Sequence, residues 1–451
     1  MSNLARRAAL ECVLAVVRDD AYANLVLPTI LSRRALEGRD ARFATELAYG
    51  SLRMQGWYDA VITSAARRPS RDLDPTVRCV LWLGAHQALA MNTPPHAAVS
   101  ETVDLAVRAG AGRAKGLVNA VMRRITERSS DAWRAVLAPG SSRDAIALRT
   151  SHSDWVAREL AASLAAHGRA GDLEALLEAH NQPAQVTLAV RPSLMDRDHL
   201  VHEVNGTPTS LSPYGVVMSG GNVGAVESVA QGKAGAQDEG SQLVAAVLAS
   251  AAARPTSPDE RWLDMCAGPG GKTALLGSLA AQTGATLDAT ELHPHRAELV
   301  RRNVRALPSG VVRVIEADAT AYQGGPYDRI LLDAPCTGLG ALRRRPEARW
   351  RKHAADLTQL TQLQRRLLEH AQTLLAPGGV IAYVTCSPVL AETRAVAQNA
   401  GLAMPDARSA FAQVTGSPAS QWGSGPDVQL FTHVHGTDSM YVALLSKPGG
   451  R

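Results

Sequence analysis

The sequence predicts an α/β protein whose C-terminal half forms a doubly wound, mostly parallel sheet, preceded by an all-helical domain and a small α+β module. Three observations support this fold class. Apolar residues recur at helical spacing through residues 1–135. From residue 261 onward, short apolar runs alternate with helical stretches, which is typical of repeated βα units. Between them, residues 136–235 mix helical stretches with a strand and a segment rich in Gly, Pro and Ser.

The predicted elements follow from the spacing of apolar residues. In the first segment, helical stripes run over residues 4–15, 81–89, 99–107 and 117–125. In the second segment, we expect helices over residues 155–167 and 173–180 and a strand over residues 186–190. In the third segment, we expect a helix over residues 356–375 and strands over residues 261–265, 286–290, 311–316, 329–333, 380–385, 428–433 and 440–445.

The composition fits a globular protein of several domains. The chain has 451 residues, which at about 100–200 residues per domain suggests about three domains. Apolar residues make up 46% and charged residues 20%, as in folded rather than disordered proteins. No apolar run reaches about 18 residues, so we expect no membrane span. Charged residues interrupt the apolar stretch near the N-terminus, which indicates an amphipathic helix and not a secretory signal.

Net charge supports the same three domains, 1–135, 136–235 and 236–451. These segments carry 19 basic and 13 acidic, 7 and 10, and 21 and 19 side chains, respectively. The basic excess of the first segment is consistent with a nucleic-acid contact or, equally, with a solvated helical surface.

The five cysteines are widely spread, and no two are spaced as C-x-x-C. This pattern argues against a disulfide framework and against a structural zinc site. We therefore expect a reducing, cytoplasmic compartment and no bound metal. Cys12 and Cys79 lie in apolar helical stretches and are interpreted as core residues.

A glycine-rich turn follows the first predicted strand of the third segment. It runs from Cys266 to Lys272 and leads into a helix. Glycines let a backbone approach a ligand closely, and the start of a helix offers N–H groups. A P-loop would also end in Gly-Lys-Thr, but it needs glycine at position 266. We favour a cofactor-binding turn, with a P-loop and a purely structural turn as alternatives.

Acidic residues follow the next two predicted strands. Glu291 lies 25 residues after Cys266, close to the spacing at which an acidic side chain meets a ribose in nucleotide-binding folds. Asp318 follows the third strand and is expected on the adenine side. Each residue alone is commonly a capping or solvated carboxylate. Together with the glycine turn, they favour a cofactor that contains an adenosine moiety.

Two cysteines come directly after apolar runs that we expect to be buried strands. Cys336 follows residues 330–332 and Asp333, and Cys386 follows residues 380–385. In a doubly wound sheet, ligands bind beyond the carboxyl ends of the strands, so both thiols are expected at the ligand-binding edge. A thiolate at that edge could attack a substrate.

In this order, the motifs resemble the NOL1/NOP2/Sun family of RNA cytosine-C5 methyltransferases over most of the chain. They are Q-D-E-G-S-Q at 237–242, C-A-G-P-G-G-K-T at 266–273, D-A-P-C-T-G-L-G at 333–340, R-R-R-P-E-A-R-W at 343–350 and T-C-S-P at 385–388. Residues 46–53, 84–87 and 117–123 are similar to the NusB-type RNA-binding domain. This pairing indicates the bacterial Sun/RsmB subgroup, which uses S-adenosylmethionine to methylate a cytosine in 16S rRNA.

The resemblance implies a Rossmann-like methyltransferase domain and a role for each site residue. Cys386 is the nucleophile, Cys336 assists product release, and Asp333 contacts the pyrimidine near N3. The implied cofactor-binding residues are Cys266, Ala267, Gly268, Pro269, Gly270, Gly271, Lys272, Glu291, Asp318 and Asp333. The family more often has Asp at position 291, but the longer carboxylate can reach the same ribose hydroxyls.

An arginine-rich run follows the Cys336 motif and is interpreted as a phosphate clamp for RNA, with a solvated loop as the alternative. Its cations are Arg343, Arg344, Arg345, Arg349, Arg351 and Lys352. We expect a monomeric enzyme that acts on 16S rRNA, naked or in an assembling small subunit, without a membrane partner. The alternatives are C5 methylation of another RNA, such as tRNA or large-subunit rRNA, and a non-catalytic NusB-like RNA-binding protein.

Overall fold

A computed structural model describes residues 3–251 and 259–447, which divide into two units. The helical unit contains Met1–Ala161, Gly171–Pro183 and Leu342–Lys352, and the sheet unit contains Ala162–Ala170, Ala184–Ala341 and His353–Arg451. These units differ from the three expected segments in two respects. Residues 136–235 are shared between the two units, and the arginine-rich run belongs to the helical unit.

The helical unit is all-helical over residues 3–135, as the sequence predicted. Asp74 caps the helix Pro75–Leu89 because its carboxylate accepts the N–H of Thr76 at 2.8 Å, and Pro75 occupies the first turn. The helices surround one apolar core, in which both Cys12 and Cys79 are buried. The helices up to residue 179 are α1 (Asn3–Arg18), α2 (Ala23–Arg33), α3 (Gly38–Arg53), α4 (Gln55–Ala66), α5 (Pro75–Leu89), α6 (Pro95–Arg108), α7 (Lys115–Thr126), α8 (Ser130–Leu137), α9 (Arg143–Arg149), α10 (Asp154–Ala166) and α11 (Leu173–Ala179).

A small antiparallel sheet opens the sheet unit. Its strands are β1 (Thr187–Val190), β2 (Thr207–Pro208), β3 (Gly215–Val217) and β4 (Ala234–Ala236), in the order β2-β3-β1-β4. Leu188, Val190 and Val216 pack with Leu200 in a separate apolar cluster. This part of the chain therefore has its own small core.

A seven-stranded sheet follows, in the order β10-β11-β9-β8-β5-β6-β7. The five strands from β9 to β7 are parallel. β11 pairs antiparallel with β9, and β10 pairs antiparallel with β11. The strands are β5 (Arg261–Asp264), β6 (Thr286–Glu291), β7 (Val312–Glu316), β8 (Tyr327–Asp333), β9 (Leu375–Thr385), β10 (Val428–Gln429) and β11 (Tyr441–Ser446).

Helices cover both faces of this sheet, which confirms the doubly wound fold. Along β8, Leu331 packs in one apolar cluster, whereas Ile330 and Leu332 pack in another. Successive side chains of a strand point to opposite faces, so each face has its own core. The remaining helices are α12 (Arg197–Glu203), α13 (Glu227–Ala230), α14 (Glu239–Ser250), α15 (Gly271–Thr283), α16 (Pro294–Val304), α17 (Ala348–Arg351, in the helical unit), α18 (Asp356–Leu374), α19 (Arg394–Gln398), α20 (Ala407–Thr415) and α21 (Thr432–His435). Within residues 3–251 and 259–447, none of the helices has the length and apolar character that crossing a membrane requires.

One predicted strand, over residues 428–433, is wrong in its second half. The strand ends at Gln429, and α21 begins at Thr432. The N–H of Phe431 donates to Nδ1 of His435, and the N–H of Thr432 donates to Oγ of Ser439. Because these backbone groups bond to side chains, they do not extend the strand ladder.

Candidate active site

The candidate catalytic and cofactor-binding residues lie at one edge of the seven-stranded sheet. β5, β6, β8 and β9 run parallel, so their carboxyl ends lie at the same edge. The glycine turn follows β5, Glu291 ends β6, Cys336 follows β8 and Cys386 follows β9. Residues that are far apart in the sequence therefore lie close together at this edge, as the sequence predicted.

The glycine turn is packed too closely for larger side chains. A Cβ atom at Gly268 would lie 2.3 Å from Oε2 of Glu291, and one at Gly270 would lie 2.8 Å from Cα of Val300. Gly270 also has a φ of +108°, which favours glycine. The first N–H groups of α15 have no acceptor within the helix, so the turn offers donors to a ligand.

Gln237 lies beside this turn, and sequence reasoning did not assign it a role. Its side chain is buried, and a Cβ atom at Gly271 would lie 3.8 Å from its Cδ atom. Among the described residues, neither its Oε1 nor its Nε2 atom has a hydrogen-bond partner. A buried amide, helix N–H groups and closely approachable backbone together fit the polar end of S-adenosylmethionine.

The two carboxylates expected at the ribose and adenine sides differ in environment. Glu291 is 4% exposed; it accepts the N–H of Gly268 at 3.0 Å and pairs with Arg296 at 3.5 Å. Glu291 therefore holds the glycine turn as well as facing the cofactor edge. Asp318 is exposed, and hydrogen bonds from the N–H and hydroxyl of Thr320 lower the pKa of its carboxyl.

Lys272 and Asp333 form an ion pair at the centre of the edge. Nζ of Lys272 lies 2.7 Å from Oδ2 of Asp333. Burial acts to lower the pKa of Lys272, but the charge and hydrogen bond of Asp333 and the charge of Cys386 outweigh it and raise that pKa. Lys272 therefore remains an ammonium group between a carboxylate and a cysteine.

The two cysteines expected to be catalytic are in direct contact. The Sγ atoms of Cys336 and Cys386 lie 3.4 Å apart, and both side chains are thiols. The hydrogen bond with Cys386 and burial raise the pKa of Cys336, so Cys336 stays protonated. Burial also raises the pKa of Cys266, which keeps that thiol protonated within the cofactor turn.

The arginine-rich run differs from the predicted phosphate clamp. Arg344 and Arg345 are exposed, but Arg349 is fully buried. The Arg349 guanidinium donates to Oδ1 of Asn181 at 2.7 Å and to the carbonyl oxygens of Arg53 and Ser151 at 3.2 Å. Its Nη1 and Nη2 atoms bind protein acceptors and its Nε atom is buried, because the segment packs inside the helical unit, so the structure does not present Arg349 to a phosphate.

The other cations of this run are intermediate in exposure. Arg343 and Lys352 are partly buried. Arg351 donates to the carbonyl oxygens of Val16 and Ala21 at 2.9 and 2.6 Å. The exposed cations of the run are therefore concentrated at its start.

Comparison with known proteins agrees with this arrangement. The family model described as 16S rRNA methyltransferase RsmB/F matches residues 252–446, and the NusB family model matches residues 3–127. Rv1407 of Mycobacterium tuberculosis is 46% identical over 98% of this chain and 96% of its own length. Ribosomal RNA small subunit methyltransferase B of Pseudomonas putida is 32% identical over 98% of each chain.

A solved structure supports the fold. PH0851 matches with a TM-score of 0.79 at 21% identity and covers 99% of each chain. That identity supports a likeness of fold alone, whereas the curated relatives carry the family assignment. With more than 30% identity along nearly its whole length, the chain belongs to the RsmB/F family of S-adenosylmethionine-dependent RNA methyltransferases and carries a NusB-family domain at its N-terminal end.

Proposed function

We propose that this enzyme methylates C5 of a cytosine in 16S rRNA through a covalent bond between Cys386 and C6 of the base. The observation that carries the proposal is the pair of thiols 3.4 Å apart at the cofactor edge. A nucleophile alone needs one cysteine. A second cysteine in contact with it has a use when the first must afterwards be released from the product.

The chemistry accounts for a thiolate at this place. C5 of cytosine is a poor nucleophile in the intact aromatic ring. Addition of the Cys386 thiolate to C6 gives C5 enamine character, and C5 can then attack the methyl group that S-adenosylmethionine supplies. A general base then takes the C5 proton, and β-elimination breaks the S–C6 bond and regenerates the Cys386 thiolate.

The surrounding charges suit these roles. The Lys272 ammonium lies close enough to Cys386 for a thiolate there to raise its pKa, and the same attraction favours the thiolate. We assign the release of Cys386 to Cys336, which stays protonated and contacts it; the thiol can donate a hydrogen bond to the leaving thiolate. We assign Asp333, which forms an ion pair with Lys272, to the pyrimidine near N3.

Alanine variants of the two cysteines are expected to behave differently. Cys386→Ala should lose methyl transfer from labelled S-adenosylmethionine and form no RNA adduct, because the nucleophile is absent. Cys336→Ala should accumulate a covalent adduct that resists denaturing electrophoresis, because release is slowed. Cys12→Ala, which removes a thiol from the helical core, should retain methyl transfer and should accumulate no adduct. Interchanged behaviour of the first two variants would refute the assignment.

The choice of 16S rRNA rests on the description of the family model and on the name of the Pseudomonas putida relative. The alternative is a cytosine in tRNA or large-subunit rRNA. Bisulfite sequencing of all three RNA classes from a deletion strain, with and without the wild-type gene, separates them. A 5-methylcytosine that disappears from 16S rRNA and returns with the gene supports the proposal, and one that does so only in another RNA replaces it.

A further inference from the structure

A buried carboxylate lies between the two cysteine loops and has no part in the chemistry proposed above. Glu392 follows β9 and has no exposed surface. Its Oε1 atom accepts the N–H of Thr337 at 2.8 Å and Nε2 of Gln364 at 3.3 Å. Its Oε2 atom accepts the hydroxyls of Thr337 at 2.6 Å and Ser387 at 2.7 Å. A carboxylate is costly to bury, and these four donors offset that cost.

Three of the four donors belong to the residues that directly follow the cysteines. Thr337 follows Cys336 and Ser387 follows Cys386, and both are buried. One carboxylate thus bridges the two loops one residue beyond each thiol. A backbone bond joins the loops as well, because the N–H of Gly340 donates to the carbonyl oxygen of Cys386 at 2.9 Å.

We propose that Glu392 is a positioning residue, which holds the sulfurs of Cys336 and Cys386 in contact by tying Thr337 and Ser387 to one carboxylate. The effect of Glu392 on catalysis rests on the proposed function, since only a reaction that uses both thiols requires a fixed distance between the two sulfurs. Misplacement of reacting groups by about 1 Å can cost about 100-fold in rate. A residue that touches neither substrate nor cofactor can therefore control turnover from here.

In the wild-type bridge, both carboxylate oxygens of Glu392 act as acceptors. A glutamine would keep one acceptor oxygen and replace the other by an NH2 group. The hydroxyls of Thr337 and Ser387 can rotate to accept hydrogen bonds from that NH2 group. Glu392→Gln should therefore weaken the bridge but retain it. Glu392→Ala removes the bridge and leaves buried donors without partners.

The test measures the separation of the sulfurs independently of methylation. Diamide oxidises two adjacent thiols to a disulfide while its own N=N bond is reduced to a hydrazine. In the full-length protein, we expect the Cys336–Cys386 disulfide, quantified by peptide mass spectrometry, to form about 10-fold more slowly in Glu392→Gln and about 100-fold more slowly in Glu392→Ala. kcat should fall in the same order. The dissociation constant of S-adenosylmethionine and the KM for RNA should change by less than about twofold.

Glu260→Gln is the matched control. Glu260 is another buried carboxylate of the sheet unit and pairs with Arg329 at 2.8 Å, but it precedes β5 and so lies at the opposite end of the strands. This variant should lower the thermal stability without slowing disulfide formation.

The outcomes are distinct. A folded Glu392→Ala with wild-type rates of oxidation and turnover overturns the proposal. If Glu392→Ala does not fold, Ser387→Ala removes one arm of the bridge by deleting a single hydroxyl, and unchanged oxidation in that variant overturns the proposal equally. If Cys336→Ala accumulates no RNA adduct while the Glu392 variants still oxidise slowly, the positioning role stands and the covalent mechanism fails.

Discussion

Asp264 shows how burial sets the charge of a single residue beneath the cofactor turn. It is 1% exposed, and its Oδ2 atom accepts the hydroxyl of Thr273 at 2.7 Å. Burial raises the pKa of Asp264 to about 7 and the charge of Asp333 adds to the rise, while the Thr273 bond and Lys272 oppose it. The carboxyl is thus partly protonated at neutral pH.

This raised pKa predicts how stability depends on pH. The unfolded carboxyl has a pKa near 4, so between about pH 4 and pH 7 the folded state holds a proton that the unfolded state has lost. Stability from this group therefore falls as pH rises, by at most about 4 kcal/mol for a shift of about three units. Asp264→Asn does not titrate, so its stability relative to wild type should rise between about pH 4 and pH 8, as measured by thermal unfolding.

Asp318→Asn is the control of opposite sign. Hydrogen bonds lower the pKa of the Asp318 carboxyl, so it stabilises the fold above its unfolded pKa and loses that effect as pH falls. This variant should therefore lose stability relative to wild type as pH rises through the acid range. A gap between Asp264→Asn and wild type that does not change with pH would contradict the assignment of Asp264.

Individual site residues could be predicted from the sequence when a motif carried them. Cys386 directly follows β9, Cys336 lies in the loop after β8, and Lys272 ends the turn after β5, so topology alone brings them to one edge. Glu392 and Gln237 could not be predicted in this way. The role of Glu392 depends on Thr337, 55 residues away, and that of Gln237 depends on a helix start that packs against it only in the folded chain.

At the scale of elements, the strands that support the site could be predicted because their apolar runs are buried on both faces. β8 and β9 are examples, and their C-terminal ends match the predictions. The arginine-rich run is the opposite case. Its composition predicts a solvated or RNA-facing loop, but Trp350 and Arg349 pack against helices that lie more than 150 residues earlier in the chain.

The packing of this run can be tested through Gly56 in α4. A Cβ atom at Gly56 would lie 2.3 Å from Cη2 of Trp350. Gly56→Ala should therefore displace Trp350, even though alanine favours the helix by about 1 kcal/mol. Trypsin cleavage after Arg349 and Arg351 should rise about 10-fold, because displacement makes local opening easier.

Gly116→Ala provides the matched control for that experiment. Gly116 lies in α7, and a Cβ atom there would have no neighbour within 4 Å. Cleavage of the arginine-rich run should therefore be unchanged in this variant. Equal cleavage in Gly56→Ala and wild type would show that Trp350 does not hold the segment.

At the scale of the whole molecule, chain order and folded units do not coincide. The helical unit takes three separate parts of the chain, including Leu342–Lys352 from within the methyltransferase segment. Local patterns predicted which parts are helical and which form the sheet. They could not predict that Leu342–Lys352 belongs to the helical unit. The contacts that bury this segment join residues that are far apart in sequence.

Packing of this segment limits the proposed RNA contact to Arg344 and Arg345, which are the exposed cations of the run. Each phosphate contact contributes about 0.7 to 0.9 to the slope of log affinity against log salt concentration. We expect Arg344→Ala with Arg345→Ala to weaken binding of a 16S rRNA fragment and to reduce that slope by about 1.4 to 1.8. Filter binding over a series of salt concentrations measures both quantities.

Arg301→Ala with Arg302→Ala serves as the control pair for RNA binding. These two exposed arginines on α16 already pair with Glu298, and Arg301 also pairs with Glu316 at 2.7 Å. Their charges are largely compensated on the surface, so their loss should leave the salt slope unchanged. If both double variants reduce the slope equally, the attraction for RNA is spread over the general arginine content. A reduction confined to Arg344 and Arg345 places phosphate contacts on the run that follows the Cys336 loop.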